Sequence, residues 1–218
     1  MRQQRRWRWA PAAVSVIVLA FTATGYGAPP KAGRWTPLFN GHNLNGWRPF
    51  GTEKWVADHG TILGQSTDAK YGYLLTTKSY RDFDLRFKFE CESDGNSGLF
   101  FHSRITGENP RWGPDIVGMQ AEIDPRRHTG GLYESGGRGW VALPTKAGEK
   151  AIKPIGQWNR MEVYVKGDHI VTRLNGVPIA SYDYKGGKYA DGAIGLQLHM
   201  GEHGFSIRFK NIDLRPLP

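Results

Sequence analysis

Apolar and charged residues alternate along much of the chain with a period of two. Between Asp82 and Cys91 every odd-numbered residue is apolar and every even-numbered residue is charged. The same alternation appears in Arg160–Lys166 and in Phe205–Lys210. Because a strand projects successive side chains to opposite faces, this pattern indicates strands with one buried and one solvent-facing side. No stretch shows sustained helical spacing.

Turn-forming pairs separate these runs. Gly167-Asp168 and Asn175-Gly176 each lie between alternating segments, and Asn-Gly supplies the positive φ angles of a tight hairpin turn. Residues 159–182 are therefore predicted to form a three-stranded meander. The stretches 103–118 and 136–156 are rich in Gly and Pro and poor in alternation. We predict long loops there, of the kind that often carries function on a β scaffold.

Many short strands joined by turns are typical of a layered all-β fold. We predict a jelly-roll sandwich of two antiparallel sheets, formed by residues 35–218 as a single domain. A chain of this length can bury one sizeable core without covalent staples. Cys91 is the only cysteine, which excludes an internal disulfide and a thiolate metal site of the usual spacing.

The first 25 residues have the pattern of a signal peptide. Four Arg residues with no acidic residue precede an apolar run from Ala10 to Ala23, which is shorter than the roughly 20 residues of a membrane span. We predict cleavage after Gly25, a short leader over residues 26–34, and no membrane span once the signal is removed. The protein is therefore expected to be exported, to the periplasm or the extracellular space. Arg5-Arg6 leaves a twin-arginine signal open as an alternative.

Removing residues 1–25 changes the charge of the chain. The full sequence has 29 basic and 20 acidic residues, and the mature part keeps 25 basic residues against the same 20 acidic ones, a net charge of +5. These basic residues are scattered, whereas a nucleic-acid interface concentrates them on one face or along one helix. We therefore do not expect nucleic acid as a partner.

Three predicted strands carry amides, carboxylates and imidazoles on the face that does not point to the core. They are Asn96–Arg104, Gly118–Asp124 and Gly195–His199. Their polar side chains recur at every second position and so share one face of each strand. The candidate residues are Asn96, His102, Arg104, Gln120, Glu122, Asp124, Gln197 and His199. If the strands belong to one sheet, these groups form a floor that suits the hydroxyls of a sugar.

Other interpretations of the same residues remain open. Scattered polar side chains also occur on any sheet face that contacts water. Trp112 and Trp140 lie in the predicted loops, where they could stack on a sugar ring or cover the core. Four candidates, His102, Glu122, Asp124 and His199, are of types that bind a divalent metal, but no fixed spacing connects them. The sequence therefore specifies neither a metal nor another cofactor.

Several motifs in order resemble one known family. They are Phe39-Asn40-Gly41-His42-Asn43-Leu44-Asn45-Gly46-Trp47, Gly95-Asn96-Ser97-Gly98, Thr129-Gly130-Gly131-Leu132-Tyr133, Leu174-Asn175-Gly176, Gly195-Leu196-Gln197-Leu198-His199 and Phe209-Lys210-Asn211-Ile212. Together they resemble the 3-keto-disaccharide hydrolase family, also called the 3-keto-glucoside-1,2-lyase/3-keto-2-hydroxyglucal hydratase domain, over nearly all of the mature chain. The resemblance implies a concanavalin A-like jelly roll. Many relatives carry Glu-x-Gln in the central strand, whereas this chain has Gln120-Ala121-Glu122.

The resemblance also implies a chemistry on oxidised (3-keto) mono- or disaccharide glycosides. A ketone at sugar C3 acidifies the C2 proton, so a base can remove it and the C1 substituent can leave by β-elimination; water then adds. We expect Glu122 or Asp124 as the base and His199 as its acid or base partner. The remaining candidate side chains would bind the sugar: Asn96, His102, Arg104, Trp112, Gln120, Trp140 and Gln197. Whether an upstream sugar 3-dehydrogenase supplies the substrate stays open.

Two other functions compete with this one. A carbohydrate-binding, lectin-like module uses the same sandwich, because a fold does not determine function, and it predicts stoichiometric binding without a change in the sugar. A structural or adhesive role predicts no saturable sugar site. The convergence of polar groups on one face favours the enzyme.

Overall fold

A computed structural model describes residues 33–67 and 70–218 of the chain. The expected signal peptide, residues 1–25, and residues 26–32 of the expected leader lie outside this part. Within the described ranges, no helix is both long enough and apolar enough to cross a membrane.

The described residues form fifteen strands and one short helix. In chain order the elements are β1 (Thr36–Pro37), β2 (Trp47–Phe50), β3 (Lys54–Asp58), β4 (Thr61–Gln65), β5 (Gly72–Tyr80), β6 (Phe83–Cys91), β7 (Ser97–Asn109), β8 (Gly113–Ile123), β9 (Leu132–Ser135), β10 (Gly139–Ala142), α1 (Lys146–Glu149), β11 (Asn159–Lys166), β12 (His169–Leu174), β13 (Val177–Asp183), β14 (Gly192–Leu198) and β15 (Ser206–Pro216).

These strands make two antiparallel sheets. The first sheet has the order β13-β12-β11-β6-β15-β4-β3, with β1 paired to β15, and the second has the order β10-β9-β8-β7-β14-β5-β2. Apolar side chains from both sheets meet in one buried cluster. The predicted all-β sandwich is therefore confirmed.

The alternation in the sequence corresponds to the packing. In β6 the apolar residues Phe83, Leu85, Phe87 and Phe89 are at most 1% exposed, whereas the charged residues between them are partly exposed. The predicted meander is also present, because β11, β12 and β13 pair in sequence order. A strand of period two thus buries the same face along its whole length.

The two predicted loops are shorter than expected. Most of residues 103–118 belongs to β7 and β8, which form a long hairpin, and residues 136–156 contain β10 and α1. The prediction of a long loop over residues 103–118 was wrong because bulges interrupt the alternation of β7, whereas residues 136–156 keep irregular segments around β10 and α1. The register of β7 against β8 shifts between Phe101 and Arg104 and again between Ile105 and Gly107.

Candidate active site

The second sheet carries a cavity of about 860 Å³ on the face that points away from the core. Its floor comes from the middle strands β8, β7 and β14. In β8, Met119, Ala121 and Ile123 are fully buried in the core, so the intervening residues Gln120 and Glu122 project from the opposite face into the cavity. This is the face that the sequence predicted for them.

A glycine in the central strand makes room for the polar network. Gly98 of β7 lies between Glu122 of β8 and Gln197 of β14. The side chain of Gln120 occupies the space above Gly98, because a Cβ atom there would lie 2.4 Å from Gln120 Nε2. That nitrogen donates to Glu122 Oε2 at 2.6 Å and to Gln197 Oε1 at 3.2 Å. The three strands are thereby linked across the floor.

Glu122 is a nearly buried carboxyl group, 5% exposed. Burial disfavours its charged form and, opposed mainly by the hydrogen bond from Asn96, raises its pKa to about 7. The charge of Asp124 also raises this pKa, whereas Arg126 and Arg127 lower it. Glu122 can therefore hold or release a proton near neutral pH, as a general acid or base requires.

Asn96 joins the two carboxylates of β8 and its continuation. Its Nδ2 donates to Glu122 Oε1 at 2.5 Å and is 3.4 Å from Asp124 Oδ2. Its Oδ1 is buried and has no hydrogen-bond partner within the described ranges. Asn96 also accepts a hydrogen bond from the backbone N–H of His199, at 3.2 Å, and so connects the carboxylates to the histidine.

Asp124 is occupied by structural contacts. Its Oδ1 accepts from the backbone N–H and the Nε of Arg126, both at 2.9 Å, and Arg126 Nη2 lies 3.3 Å from Oδ2. Its backbone N–H and C=O both bond the hydroxyl of Thr129. Asp124 lines the cavity, but Arg126 contacts both of its carboxylate oxygens, so these oxygens already have protein partners.

The ring of His199 is held with its Nε2 atom as a hydrogen-bond acceptor. Nδ1 lies 2.8 Å from the carbonyl oxygen of Met200, so Nδ1 carries the proton in the neutral ring. Nε2 then accepts from the hydroxyl of Tyr71 at 3.3 Å. The rings of Tyr71 and His199 also pack edge to face, 4.9 Å apart. Burial, together with the charges of Tyr133 and Glu122, raises the pKa of Tyr71, so this hydroxyl keeps its proton.

Tyr71 and Tyr73 form one wall of the cavity, and the sequence prediction missed both. Their rings stack 6.0 Å apart, and Tyr73 packs edge to face on Phe100. Burial raises the pKa of Tyr73 far above its usual range. The alternation Tyr71-Gly72-Tyr73 was the available signal, since it places both rings on one face.

Aromatic side chains also form the rim. Trp140 of β10 is 40% exposed and packs edge to face on His128 and Tyr133, at 4.7 and 5.4 Å between ring centres. Trp112 Nε1 donates to Asp115 at 2.7 Å, which fixes its ring. All of these side chains line the cavity.

Comparison with known proteins identifies the family. Residues 34–215 match the 3-keto-alpha-glucoside-1,2-lyase-like domain. The chain belongs to this family. A curated relative, the 3-keto-disaccharide hydrolase of Bacteroides thetaiotaomicron, is 22% identical over 87% of this chain and 80% of its own length. The resemblance seen in the sequence is thus confirmed.

Solved structures agree on the fold. A provisionally named glycosyl hydrolase from Parabacteroides distasonis has a TM-score of 0.61 and 22% identity, covering 85% of this chain and 94% of its own. A Bacillus subtilis protein of unknown function with a galectin-like fold has a TM-score of 0.66 and 16% identity, covering 86% and 96%. At these identities the likeness shows the fold, and the site must be argued from its own residues.

Eight of the ten side chains proposed from the sequence line the 860 Å³ cavity of this family member. They are Asn96, Trp112, Gln120, Glu122, Asp124, Trp140, Gln197 and His199. The other two, His102 and Arg104, lie outside it, so their predicted role in binding the sugar is corrected. The cause is a bulge in β7: three residue steps, from Phe101 to Arg104, face two on β8.

His102 takes the bulged position with a left-handed φ of 50°. Its ring is 3% exposed and packs on Phe83 and Phe101 of the core. Its nitrogens lie 2.7 and 3.1 Å from the carbonyl oxygens of Arg81 and Tyr189. His102 therefore lies between the carbonyl groups of two loops and has no free nitrogen for a sugar.

Arg104 leaves the cavity face because of the same bulge. Its Nη2 donates to the carbonyl oxygen of Asp191 at 3.0 Å, and its guanidinium lies over the ring of Tyr189. The metal alternative also loses a candidate ligand with His102. Among the residues that the structure describes, no group of three or more His, Cys, Asp or Glu side chains could hold a metal ion.

Proposed function

We propose that this protein cleaves 3-keto glycosides by removing the C2 proton, eliminating the C1 substituent and adding water to the resulting 3-keto-2-hydroxyglucal. Membership of a family that processes glycosides supports the class of substrate. The observation that carries the proposal is the pairing, in one cavity, of a histidine whose Nδ1 faces a backbone carbonyl and a carboxyl group whose pKa is about 7. Elimination needs one group that takes a proton and another that gives one.

The contacts favour His199 as the base. Its Nδ1 proton is fixed by the carbonyl of Met200, and the lone pair on Nε2 meets only the weak, 3.3 Å contact from Tyr71. A bound sugar can displace that contact and present its C2 proton. Asp124 was the alternative base in the sequence analysis. Its carboxylate forms an ion pair with Arg126 at 2.9 Å.

Glu122 is then the acid. Burial favours its neutral form, so near neutral pH a substantial fraction of Glu122 carries the proton that the leaving oxygen at C1 requires. Gln120 and Asn96 hold both carboxyl oxygens, and Gln197 continues the same network. The side chains of Trp112 and Trp140 offer flat apolar surfaces at the rim for sugar rings.

The test uses a matched pair of 3-keto glycosides and their unoxidised parents, with and without a divalent metal, followed by NMR in D₂O. We expect loss of the C2 proton signal and release of the aglycone from the keto sugar only. His199→Ala should abolish both, whereas Glu122→Gln should slow release of an alkyl aglycone but not of a nitrophenyl group, which needs no acid. A keto sugar that binds and stays unchanged in every condition would instead establish the lectin-like module.

The same proposal extends to the cell. The signal-peptide pattern of residues 1–25 supports export to the periplasm or beyond, and the substrate requires prior oxidation of a glycoside at C3 by a sugar dehydrogenase. Mass spectrometry of the secreted protein checks the first point, since cleavage after Gly25 leaves Tyr26 as the new N-terminus. An intact N-terminus in the exported fraction would contradict it.

A further inference from the structure

Two consecutive arginines in the turn between β8 and β9 have different surroundings. Arg126 forms ion pairs with Asp124 at 2.9 Å and with Glu202 at 2.8 Å, and it lies 3.7 Å from Asp94. Arg127 forms no ion pair and no side-chain hydrogen bond with any residue in 33–67 or 70–218. The positive charge of Arg126 is thus compensated, whereas that of Arg127 is available.

Arg127 is placed at the reacting end of the cavity. Among the described residues it is the one Lys or Arg side chain that lines the 860 Å³ cavity, and it also lines the two adjoining cavities of about 260 and 550 Å³. The smaller of these is lined by residues of the turn and of α1, and the other is lined by His199 and Asp124. Arg127 is also close enough to Glu122 for its charge to lower the pKa of that carboxyl.

The backbone that carries Arg127 is tightly held. Its N–H donates to the carbonyl oxygen of Asp124 at 3.1 Å, and the hydroxyl of Thr129 closes the turn by bonding the N–H and C=O of Asp124. Gly130 N–H donates to the carbonyl of Glu122 at 2.8 Å. The guanidinium therefore starts from a fixed point beside the floor of the cavity.

The proposed reaction creates a negative charge that needs such a partner. When His199 takes the C2 proton, the C–H electron pair forms the C2=C3 bond and the carbonyl pair moves to the C3 oxygen, which becomes an enolate. The enolate then re-forms the ketone, C1=C2 forms, and the C1–O bond breaks with its pair on the leaving oxygen, which Glu122 protonates. A fixed cation near C3 stabilises the negative charge that develops on this oxygen and so lowers the barrier to proton removal.

We propose that Arg127 binds the C3 oxygen of the keto sugar and stabilises the enolate formed there. This inference rests on the proposed function and assigns to Arg127 the part that His102 and Arg104 were expected to play. A guanidinium donates two parallel N–H bonds and stays charged at every working pH. Arg127 interacts more strongly with the charged enolate than with the neutral ketone. It therefore raises the rate of proton removal more than it raises the affinity for the substrate.

The experiment measures exchange of the C2 proton for deuterium, together with kcat/KM, in Arg127→Ala, in Arg127→Lys and in a control, Arg173→Ala, whose side chain is exposed on β12 of the other sheet. Removing one charge-stabilising donor typically costs about 100-fold to 1,000-fold in rate, and we expect a loss of this size for Arg127→Ala. Arg127→Lys should retain part of the rate, and added guanidinium ion should restore part of it to Arg127→Ala. The control should match the wild type.

The outcomes separate this role from the proposed function. An Arg127→Ala protein that exchanges C2 at the wild-type rate, while the wild type turns over the keto sugar, overturns the role of Arg127 only. Equal losses in turnover and in affinity for the unoxidised parent would also overturn it, because the parent has no C3 carbonyl. A wild type that never acts on the keto sugar overturns both. Unchanged thermal unfolding, expected for an exposed and unpaired side chain, confirms that the variant is folded.

Discussion

Glu122→Gln offers a direct test of the electrostatics at the floor of the cavity, through the pH dependence of stability. In the folded protein the pKa of Glu122 is raised from 4.5 to about 7 by burial. Between these two values the folded state binds more protons than the unfolded state, so the free energy of unfolding falls as the pH rises. The stabilisation is fully present below pH 4.5 and is lost by about pH 7.

The size of the effect follows from the same shift. One pKa unit corresponds to about 1.4 kcal/mol, so raising the pH from 4.5 to above 7 removes about 3 kcal/mol from the wild type. The amide that replaces the carboxyl group in Glu122→Gln does not titrate, and the variant escapes this loss. At about 2–4 °C per kcal/mol for a domain of this size, the difference between the two melting temperatures should change by about 6–12 °C across the range.

Thermal and urea unfolding of both proteins from pH 5 to pH 8 provide the measurement. Glu92→Gln is a suitable control: burial raises the pKa of Glu92, but hydrogen bonds from Arg208 and Ser206 outweigh that effect and hold it below its usual value. Its contribution is present above that usual value and is lost only at lower pH, so Glu92→Gln should reduce stability evenly over this range. A constant difference between the wild type and Glu122→Gln from pH 5 to pH 8 would refute the reasoning.

Three further predictions concern other parts of the molecule. Trp140→Ala should raise KM about tenfold, the equivalent of about 1.4 kcal/mol of lost stacking, with unchanged unfolding because the ring is exposed; equal KM values would remove Trp140 from the site. His102→Ala should lower the free energy of unfolding by about 1–3 kcal/mol through the loss of a buried hydrogen bond to a loop carbonyl and leave kcat intact, whereas a large loss of kcat would return it to the site. Burial raises the pKa of Cys91 to about 12, so its reaction with a thiol reagent should follow the rate of unfolding, and rapid labelling of the native protein would contradict this.

The sandwich could be predicted from the sequence because its strands obey a simple rule of burial. In β6 and β11 one face meets the core and the other meets solvent, so hydrophobicity alternates without interruption. The turn at Asn175-Gly176 predicted a hairpin at that point of the chain. The structure contains both the alternating strands and this hairpin. Local chemistry and global packing agree in these segments, which is why a pattern was sufficient.

Prediction failed where the backbone left the regular pleat. The bulge around His102 inserts one residue relative to both neighbouring strands, and this extra residue moves Arg104 off the face that Phe100 occupies. Glycines on those neighbours accept the close approach: a Cβ on Gly192 would lie 2.4 Å from the His102 carbonyl carbon, and one on Gly118 2.8 Å from the next residue. The alternation of apolar and polar residues in one strand does not show where a glycine on a neighbouring strand permits a bulge.

The same limit applies to the roles of the three acidic and amide residues in β8 and just after it. The spacing correctly placed Gln120, Glu122 and Asp124 on one face. It could not show which of the three side chains takes part in catalysis. Their neighbours across the sheet and in the next turn distinguish them: Gly98 lets Gln120 cross the floor, burial keeps a proton on Glu122, and Arg126 neutralises Asp124. A sequence pattern can therefore locate a candidate site, whereas the chemistry of each group in it depends on partners that are distant in the chain.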